Sequence, residues 1–525
     1  MNRIRYLSVI FALSLLFLMA RLFHVSIINH SEYSKAVVSQ FVKETDIKNA
    51  RKILYDRNMI PLTESTCDSY AVILCDKCDN LEKVRRITGL DMPNSGVEIV
   101  PMPQNKRLQT ELMSIKGVTQ LTIPERYFKN NLFCHLIGYG GYTNGSGLEK
   151  ALDNSLITNN KQKIFTTADA KNANLATQGY YNPNAIDLSG VRLTVDMHIQ
   201  KICEEIMDSD LPRGAVIVTD IETGEILAMA SRPAYSQDNP VAFFNKEGGQ
   251  LLNRSLSSYD MGSVFKILIT AIALEEGIVN PSDTFVCNGH IDIDGKDFYC
   301  NNKEGHGQTS LEEGFALSCN IPFYSLGQQL GWDKIKDYAQ RIGFGNAIID
   351  LALDESKGNL PDTADSPQAL ANLSIGQGNM TGTPIQIAQL LQIVGNEGIK
   401  KPLILIDGKL KSDGITFTQS PRPTEMGVFS KETTNTLLSL MEKVVTNGTG
   451  TPAKSDKITI AGKTGSAESG WQENGESMTH GWFAGVFPRE NPQYACVVLC
   501  ENGKWGGSGA GPIFKKIAEE ISYLY

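Results

Sequence analysis

Three short motifs in the second half of the chain carry side chains suited to acyl transfer. Ser263 and Lys266 are three residues apart, so on a helix they share a face and the lysine amine can reach the serine hydroxyl. A serine hydroxyl becomes a useful nucleophile when a neighbouring base takes its proton, and a desolvated lysine can be that base. Ser318-Cys-Asn320 and Lys463-Thr-Gly-Ser follow in order. A Ser-x-x-Lys motif alone arises by chance, whereas the three together indicate one site.

The motif set resembles that of the active-site-serine β-lactamases and penicillin-binding proteins. Tyr259-Asp-Met-Gly-Ser-Val-Phe-Lys is similar to the Tyr-Glu-Pro-Gly-Ser-x-x-Lys box of class B penicillin-binding proteins, with Met261 in place of proline. Other segments that resemble this class are Arg51-Lys-Ile-Leu-Tyr-Asp-Arg-Asn, Ser374-Ile-Gly-Gln-Gly, Asn447-Gly-Thr-Gly-Thr-Pro-Ala and His480-Gly-Trp-Phe-Ala-Gly. The resemblance covers most of the chain and is most specific in its second half.

The resemblance implies roles for the first two motifs. Ser263 is expected to attack the carbonyl of the penultimate D-alanine of a peptidoglycan stem peptide, releasing the terminal D-alanine, with Lys266 as its base. Ser318 is expected to relay a proton between that lysine and the leaving amine. Asn320 is expected to bind the backbone of the donor peptide. The implied activity is a D,D-transpeptidase that cross-links stem peptides and is acylated by β-lactams at the same serine.

The resemblance also implies how the third motif binds the donor. Lys463 and Thr464 are expected to bind its terminal carboxylate. Gly465 lets the strand approach the site closely, since it has no side chain. The N–H groups of Ser263 and Ser466 are expected to form the oxyanion hole, where donors face the developing negative charge.

Three other functions use the same motifs differently. A β-lactam-hydrolysing enzyme needs rapid deacylation, for which no local motif supplies a clear water-holding glutamate. A β-lactam sensor needs a cytoplasmic output domain, and only a short segment precedes the apolar N-terminal stretch. A non-catalytic scaffold for wall synthesis has no need of three intact motifs.

A group of cysteines and a histidine surrounds the second motif. Cys287, Cys300 and His306 precede Cys319, which lies inside Ser-x-Asn. Three or four such ligands can hold a tetrahedral zinc ion, so we expect a structural zinc site that shapes the rim of the active site. The alternatives are a disulfide, Cys300–Cys319 or Cys287–Cys300, and free buried thiols. Acylation itself is expected to need no cofactor.

The elements that position these residues begin with an apolar segment. Residues 6–28 are long and apolar enough to cross a bilayer, with Arg21 near the far end. Arg3 and Arg5 precede the segment and favour a cytoplasmic N-terminus. The prediction is a cytoplasmic tail at 1–5, a transmembrane anchor at 6–28 and an extracytoplasmic remainder, making the chain a single-pass protein of the cell membrane.

Two domains are expected after the anchor. The first, at 29–187, is a mixed, elongated pedestal of the dimerisation type, in which Asn154 to Ala185 is predicted to be an exposed connection. The second, at 188–525, is the transpeptidase domain, an α/β (α+β) fold similar to the serine β-lactamases with a central antiparallel sheet. Its predicted elements are a hairpin from Gly214, a strand from Tyr494, and helices at 270–276, 385–394, 433–445 and 512–521.

Charge and domain content bound the partners. A formal net charge of −9 argues against a nucleic-acid binder. The expected partners are stem peptides, β-lactams, the membrane and a separate polytopic glycosyltransferase, because no polymerase domain accompanies the transpeptidase motifs. The motifs are shared by enzymes of division, elongation and sporulation and do not distinguish these processes.

Overall fold

A computed structural model describes residues 2–24, 27, 42–140, 145–167, 188–349, 351–473, 476–501 and 506–524. Its helices are α1 Asn2–Phe23, α2 Leu81–Thr88, α3 Lys106–Met113, α4 Cys134–Ile137, α5 Gly147–Ala151, α6 Asp153–Leu156, α7 Met197–Asp210, α8 Lys266–Glu275, α9 Leu311–Ala316, α10 Ile321–Leu330, α11 Trp332–Ile342, α12 Pro367–Ser374, α13 Pro384–Gly395, α14 Lys431–Asn447 and α15 Ala510–Ser522. Its strands are β1 Val42–Arg51, β2 Ile53–Tyr55, β3 Thr66–Leu74, β4 Val97–Pro101, β5 Val118–Glu125, β6 Ile157–Thr167, β7 Gly190–Leu193, β8 Gly214–Asp220, β9 Ile226–Arg232, β10 Thr284–Cys287, β11 His290–Ile293, β12 Lys296–Tyr299, β13 Gly307–Ser310, β14 Ile399–Lys400, β15 Ile406–Leu410, β16 Phe417–Gln419, β17 Met426–Gly427, β18 Ala461–Glu473, β19 Glu476–Phe487 and β20 Tyr494–Cys500.

Helix α1 contains the start of the predicted anchor. Its segment Tyr6–Phe23 is long and apolar enough to cross a membrane, and the rest of the described chain does not bury it. Residues 25, 26 and 28 of the predicted span lie outside the described part of the chain. The helix therefore has the length and composition of a single-pass membrane anchor.

The chain forms two compact units, the smaller of which comprises Met1–Arg51, Thr66–Glu125 and Ile157–Asp187. Within it, β3 is the middle strand of an antiparallel sheet ordered β4-β3-β5. Alternate residues of β3 pack with α2 and α3 in a small core that includes Ala71, Val84 and Leu112. Strands β1 and β6 pair antiparallel. Because β6 begins at Ile157, the prediction of an exposed connection over Asn154 to Ala185 is wrong for this part, and residues 168–187 lie outside the described chain.

The larger unit comprises Lys52–Ser65, Arg126–Leu156 and Leu188–Tyr525. The first two of these segments lie inside the predicted pedestal, so the compact units do not follow the division at residue 187. Asp56 shows how such a segment joins the unit, because its carboxylate accepts a hydrogen bond from the N–H of Met197 at 3.1 Å. The division of the chain into domains at 29–187 and 188–525 stays a prediction.

A five-stranded antiparallel sheet lies at the centre of the larger unit, with the order β18-β19-β20-β8-β9 among the described residues. Both faces are covered, so the central strands are apolar along their length, as β20 is from Ala495 to Cys500. Ala215 and Ile217 face a core with α8, α13 and α14. Val216 and Val218 face a second core with α7 and α15. The predicted central antiparallel sheet with helices is confirmed.

The helical layer positions the serine motifs. Eight of the ten residues of α8 are buried, so this helix crosses the core and carries Lys266 with it. Helix α9 starts at a capping box made by Ser310 and Glu313. The Ser-x-Asn motif occupies the junction of α9 and α10, where Ser318 has a φ of 55°. The third motif lies on β18, the edge strand of the sheet.

Candidate active site

Ser263 lies in a 3₁₀ turn, Gly262–Phe265, that leads directly into α8 at Lys266. Side chains three residues apart lie on the same side of a 3₁₀ turn, so Ser263 and Lys266 share a face. Gly262, the first residue of the turn, has a φ of 55°, and a Cβ on it would lie 2.7 Å from the carbonyl oxygen of Ser466. Its N–H donates to the carbonyl of Gly376 at 2.9 Å. The serine turn is thus held against β18 on one side and the Ser374-Ile-Gly segment on the other.

The Lys266 amine is enclosed by oxygen atoms of the Ser-x-Asn motif. Its Nζ donates to the carbonyls of Ser318 at 2.9 Å and Cys319 at 3.3 Å, and to Oδ1 of Asn320 at 2.7 Å. It also lies 4.9 Å from the centre of the Phe323 ring. Burial disfavours the ammonium form and lowers the pKa of Lys266 to about 7. A lysine with this pKa can accept a proton near neutral pH, as a general base must.

The Ser318 hydroxyl lies between two lysine amines. Lys463 Nζ donates to Ser318 Oγ at 2.9 Å and to the carbonyl of Thr464 at 3.2 Å. Lys266 Nζ is 3.5 Å from the same hydroxyl oxygen. Burial, and secondly the nearby Lys266 amine, hold the pKa of Lys463 well below its usual value. One hydroxyl therefore connects the amines of the first and third motifs.

Both polar atoms of the Asn320 side-chain amide, Oδ1 and Nδ2, are hydrogen-bonded. Its Oδ1 accepts from Lys266, and its Nδ2 donates to the carbonyl of Tyr299 at 3.1 Å. The same carbonyl accepts from the Tyr324 hydroxyl at 3.2 Å. Sequence reasoning missed Tyr299, because its part in the site is a backbone oxygen that any residue would supply.

Strand β18 passes close to the serine turn. A Cβ on Gly465 would lie 2.9 Å from Val264 Cγ1 and 3.1 Å from the carbonyl of Met261, so only glycine fits without a shift. Gly465 pairs with Trp482 of β19. The indole N–H of Trp482 donates to the carbonyl of Asp260 at 3.1 Å, which ties the sheet to the segment before Ser263. Thr464 and Ser466 flank the glycine on this strand.

The predicted cysteine–histidine cluster forms behind the Ser-x-Asn motif. His306 Nδ1 lies 3.6 Å from Cys287 Sγ and 3.5 Å from Cys300 Sγ, and the latter lies 3.7 Å from Cys319 Sγ. The four ligand atoms all lie within 4.8 Å of one another. All ten cysteines belong to the described part of the chain, in which no two of them are joined by a disulfide bond.

The arrangement can carry out acyl transfer. A hydroxyl nucleophile lies three residues before a buried amine with a pKa near neutrality, and a second hydroxyl links that amine to another lysine. Both lysines are fully buried. Such a site can remove a proton from Ser263 and deliver one to a leaving amine. The structure brings all three motifs into one place.

Comparison with known proteins agrees with the motifs. Residues 214–519 match the Penicillin binding protein transpeptidase domain family. Stage V sporulation protein D of Bacillus subtilis is 31% identical over 441 residues, which are 79% of this chain and 66% of that protein. Peptidoglycan D,D-transpeptidase MrdA of Acinetobacter baumannii is 26% identical over 94% of this chain and 84% of its own length. The chain is also similar to a chain in a solved structure titled "Structural coordination of polymerization and crosslinking by a peptidoglycan synthase complex". The TM-score is 0.70 at 25% identity, and the match covers 98% of this chain and 97% of that one.

The family match extends over more than half of the chain and includes every residue of the three motifs. The fold neighbours confirm the predicted transpeptidase fold, with its sheet, helices and mixed N-terminal part. The chain belongs to the penicillin-binding protein transpeptidase family and, within it, to the class B penicillin-binding proteins.

Proposed function

We propose that this protein is a peptidoglycan D,D-transpeptidase, which cross-links stem peptides through an acyl-enzyme on Ser263. The observation that carries the proposal is the Ser318 hydroxyl, which lies between the buried amines of Lys266 and Lys463 beside the serine turn. The similarity to MrdA, which is named a peptidoglycan D,D-transpeptidase, supports the proposal. The chemistry is performed by side chains and backbone groups.

The first step forms the acyl-enzyme. Neutral Lys266 takes the proton of Ser263, whose Oγ attacks the penultimate D-alanine carbonyl of the donor. The N–H groups of Ser263 and Ser466 stabilise the resulting oxyanion. The proton then passes from Lys266 through the Ser318 hydroxyl to the leaving amine, and the bond to the terminal D-alanine breaks. Lys463 and Thr464 bind the carboxylate of that D-alanine.

The second step transfers the acyl group to an amine of a neighbouring stem peptide. The acceptor amine attacks the ester carbonyl, and its proton returns to Lys266 by the same relay in reverse. The ester bond to Ser263 Oγ then breaks as Lys266 gives a proton back to the serine, since the same groups act as acid and base in turn. Thr464 holds the terminal carboxylate of the donor during the first step, and Asn320 holds the donor backbone during both steps. A β-lactam enters the same path at the first step and leaves a slowly hydrolysed ester on Ser263.

The proposal is tested by cross-linking in detergent. The purified protein is given a donor pentapeptide and an acceptor amine, and D-alanine release and the cross-linked product are followed by mass spectrometry. Ser263→Ala should abolish both signals, whereas Ser412→Ala, at an exposed serine, should leave them unchanged. D-Alanine release by the Ser263→Ala protein would contradict the assignment. Rapid turnover of a β-lactam without cross-linking would favour the hydrolase.

We propose further that Cys287, Cys300, His306 and Cys319 hold one structural zinc ion. A tetrahedral zinc with Zn–S bonds of about 2.3 Å and a Zn–N bond of about 2.0 Å separates two sulfurs by about 3.8 Å and a sulfur from the nitrogen by about 3.5 Å. Three of the six separations agree with these values, at 3.7 Å for two sulfurs and 3.5 and 3.6 Å for sulfur and nitrogen, and all four ligand atoms lie within 4.8 Å of one another. The set lies under the Ser-x-Asn motif, so the ion would shape the rim of the site.

Metal analysis of protein purified without chelators tests the zinc site. We expect about one zinc per chain, and a loss of most of it in Cys300→Ser and His306→Gln. Cys67→Ser is the matched control, because Cys67 is an exposed thiol outside the cluster. Less than about half an equivalent of zinc in the native protein would contradict the site. A thiol titration under denaturing conditions identifies the disulfide alternative by two missing thiols.

Helix α1 supports a location for the protein, and a similar structure supports a partner. We infer that α1 anchors the chain with its N-terminus in the cytoplasm and the catalytic unit outside, as Arg3 and Arg5 favour. The similarity to a chain from a complex of polymerization and crosslinking supports a separate polytopic glycosyltransferase as partner. Protease added outside intact cells should digest the catalytic unit; protection of that unit would contradict this topology.

A further inference from the structure

Thr449 links two parts of the active site that are distant in the sequence. It lies in the turn after α14, and its Oγ1 is 2.6 Å from Oγ1 of Thr464 on β18. Its N–H donates to the carbonyl of Ala316 at 3.1 Å. Ala316 ends α9 and precedes Ser318 by two residues. The turn thus contacts both the strand that carries the third motif and the helix that presents the second.

Close backbone packing holds Thr449 in this position. A Cβ on the preceding Gly448 would lie 2.2 Å from the carbonyl oxygen of Ala316. A Cβ on Gly507 would lie 2.4 Å from the carbonyl oxygen of Thr449. Neither position accepts a side chain without movement of backbone atoms, so the threonine is clamped from both sides.

The short distance between the two hydroxyls constrains their hydrogens. Each hydroxyl has one hydrogen to donate, so one threonine donates to the other and keeps none for a further acceptor. The alternative acceptor for Thr449 is the carbonyl of Ala316, which lies 3.5 Å from its Oγ1 and is a poorer partner at that distance. Donation from Thr449 to Thr464 therefore leaves the hydrogen of Thr464 available for an incoming anion.

We propose that Thr449 is a positioning residue for donor recognition, which donates to Thr464 Oγ1 and so directs the Thr464 hydrogen to the terminal carboxylate of the stem peptide or the carboxylate of a β-lactam. The inference rests on the proposed function, in which Thr464 binds that carboxylate. An anion accepting from Thr464 polarises the hydroxyl and strengthens the bond that it accepts from Thr449. Thr449 acts through Thr464 and needs no contact with the substrate.

The test compares Thr449→Val, which keeps the shape and removes the hydroxyl, with Thr449→Ser, which keeps the hydroxyl. Acylation by benzylpenicillin and by its methyl ester is resolved into a binding constant and a rate constant at saturation. We expect Thr449→Val to weaken benzylpenicillin binding about tenfold, the ratio that corresponds to about 1.4 kcal/mol. The rate at saturation and the binding of the uncharged ester should change less than about twofold, and Thr449→Ser should restore most of the binding.

A double-mutant cycle with Thr464→Val separates positioning from scaffolding. If Thr449 acts through Thr464, its removal has little further effect once Thr464 has lost its hydroxyl. Equal loss toward penicillin and ester, additive effects in the cycle, or unchanged penicillin binding in Thr449→Val would each overturn the inference. Circular dichroism of every variant checks the fold, and Thr449→Ser keeps the test decisive if the valine variant misfolds. Failure of the native protein to be acylated at all would instead reject the proposed function.

Discussion

Replacing Asn320 with aspartate puts a carboxylate where an amide oxygen now lies 2.7 Å from Lys266 Nζ. Burial holds the pKa of Lys266 at about 7 in the native protein. About three quarters of the amine is then neutral at pH 7.5 and able to take the Ser263 proton. A carboxylate at this distance stabilises the ammonium form and raises the pKa to roughly 8–10. The neutral fraction at pH 7.5 then falls to about one quarter or less, with a matching fall in the acylation rate.

The rate constant for acylation by a fluorescent penicillin, measured by stopped flow from about pH 5.5 to about pH 10, reports this change. The reactive form is the neutral amine, so the rate rises with pH through the pKa and is lost below it. We expect the native rate to be half-maximal near pH 7. Asn320→Asp should become half-maximal at least about one pH unit higher.

Asn320→Ala is the control for the amide group itself. Both variants lose the bond from Nδ2 to the Tyr299 carbonyl, which is expected to lower the plateau of the rate. Only aspartate adds a charge, so only aspartate should move the midpoint upward. A flat native profile between about pH 6 and about pH 9, or the same midpoint in both variants, would refute Lys266 as the titrating base.

Three further predictions concern stability. Phe514 is fully buried, and its ring centre lies 4.6 Å from that of Phe483. Phe514→Ala should therefore lower the free energy of unfolding in urea by about 3–5 kcal/mol. A loss below about 1 kcal/mol would contradict this packing. Glu149 is buried and accepts a hydrogen bond from Arg126 Nε at 2.7 Å, so Glu149→Gln should lower the free energy of unfolding by at least about 2 kcal/mol. The loss should be smaller than for an isolated ion pair, because Glu64 also lies 3.5 Å from the Arg126 guanidinium. An unchanged unfolding midpoint would show that the pair contributes little. Removing zinc with a chelator should lower the thermal midpoint, and added zinc should restore it, because a metal bound only by the folded state stabilises it; a midpoint indifferent to the chelator would contradict the zinc site.

The helices and strands of the larger unit could be predicted because their sequence signals are local. The run from Tyr494 to Cys500 is apolar at nearly every position, and it forms the central strand β20 with both faces covered. Helix α13, predicted at 385–394, runs from Pro384 to Gly395. Its start has a capping box from Thr383 to Gln386 and a proline in its first turn, both of which are readable in the sequence.

Other features depend on atoms that the sequence does not specify. The amine of Lys266 is held largely by backbone carbonyls, and the amide of Asn320 by the carbonyl of Tyr299. Backbone oxygens are present at every residue, so no motif marks the ones that matter. The Thr449 contact has the same origin, since it depends on how a turn and a strand meet. Ser263 does not lie on the helix that carries Lys266 but in the 3₁₀ turn before it.

The organisation of the two units depends on contacts between segments far apart in the chain. Residues 52–65 and 126–156 belong to the larger unit although they lie on either side of strands of the smaller one. Hydrogen bonds from Arg126 to the carbonyl of Lys52 and from the N–H of Met197 to Asp56 hold these segments in place. Composition along the chain changes too little at these points to mark them.

The site of acylation is the most direct test of the account. The protein is exposed briefly to benzylpenicillin, and its intact mass and proteolytic peptides are measured. We expect one bound penicillin per chain, located on the peptide containing Ser263, absent in Ser263→Ala and retained well beyond the labelling time. No adduct, an adduct on another residue, or an adduct that is lost as fast as it forms would contradict the claim that Ser263 is the nucleophile of a transpeptidase.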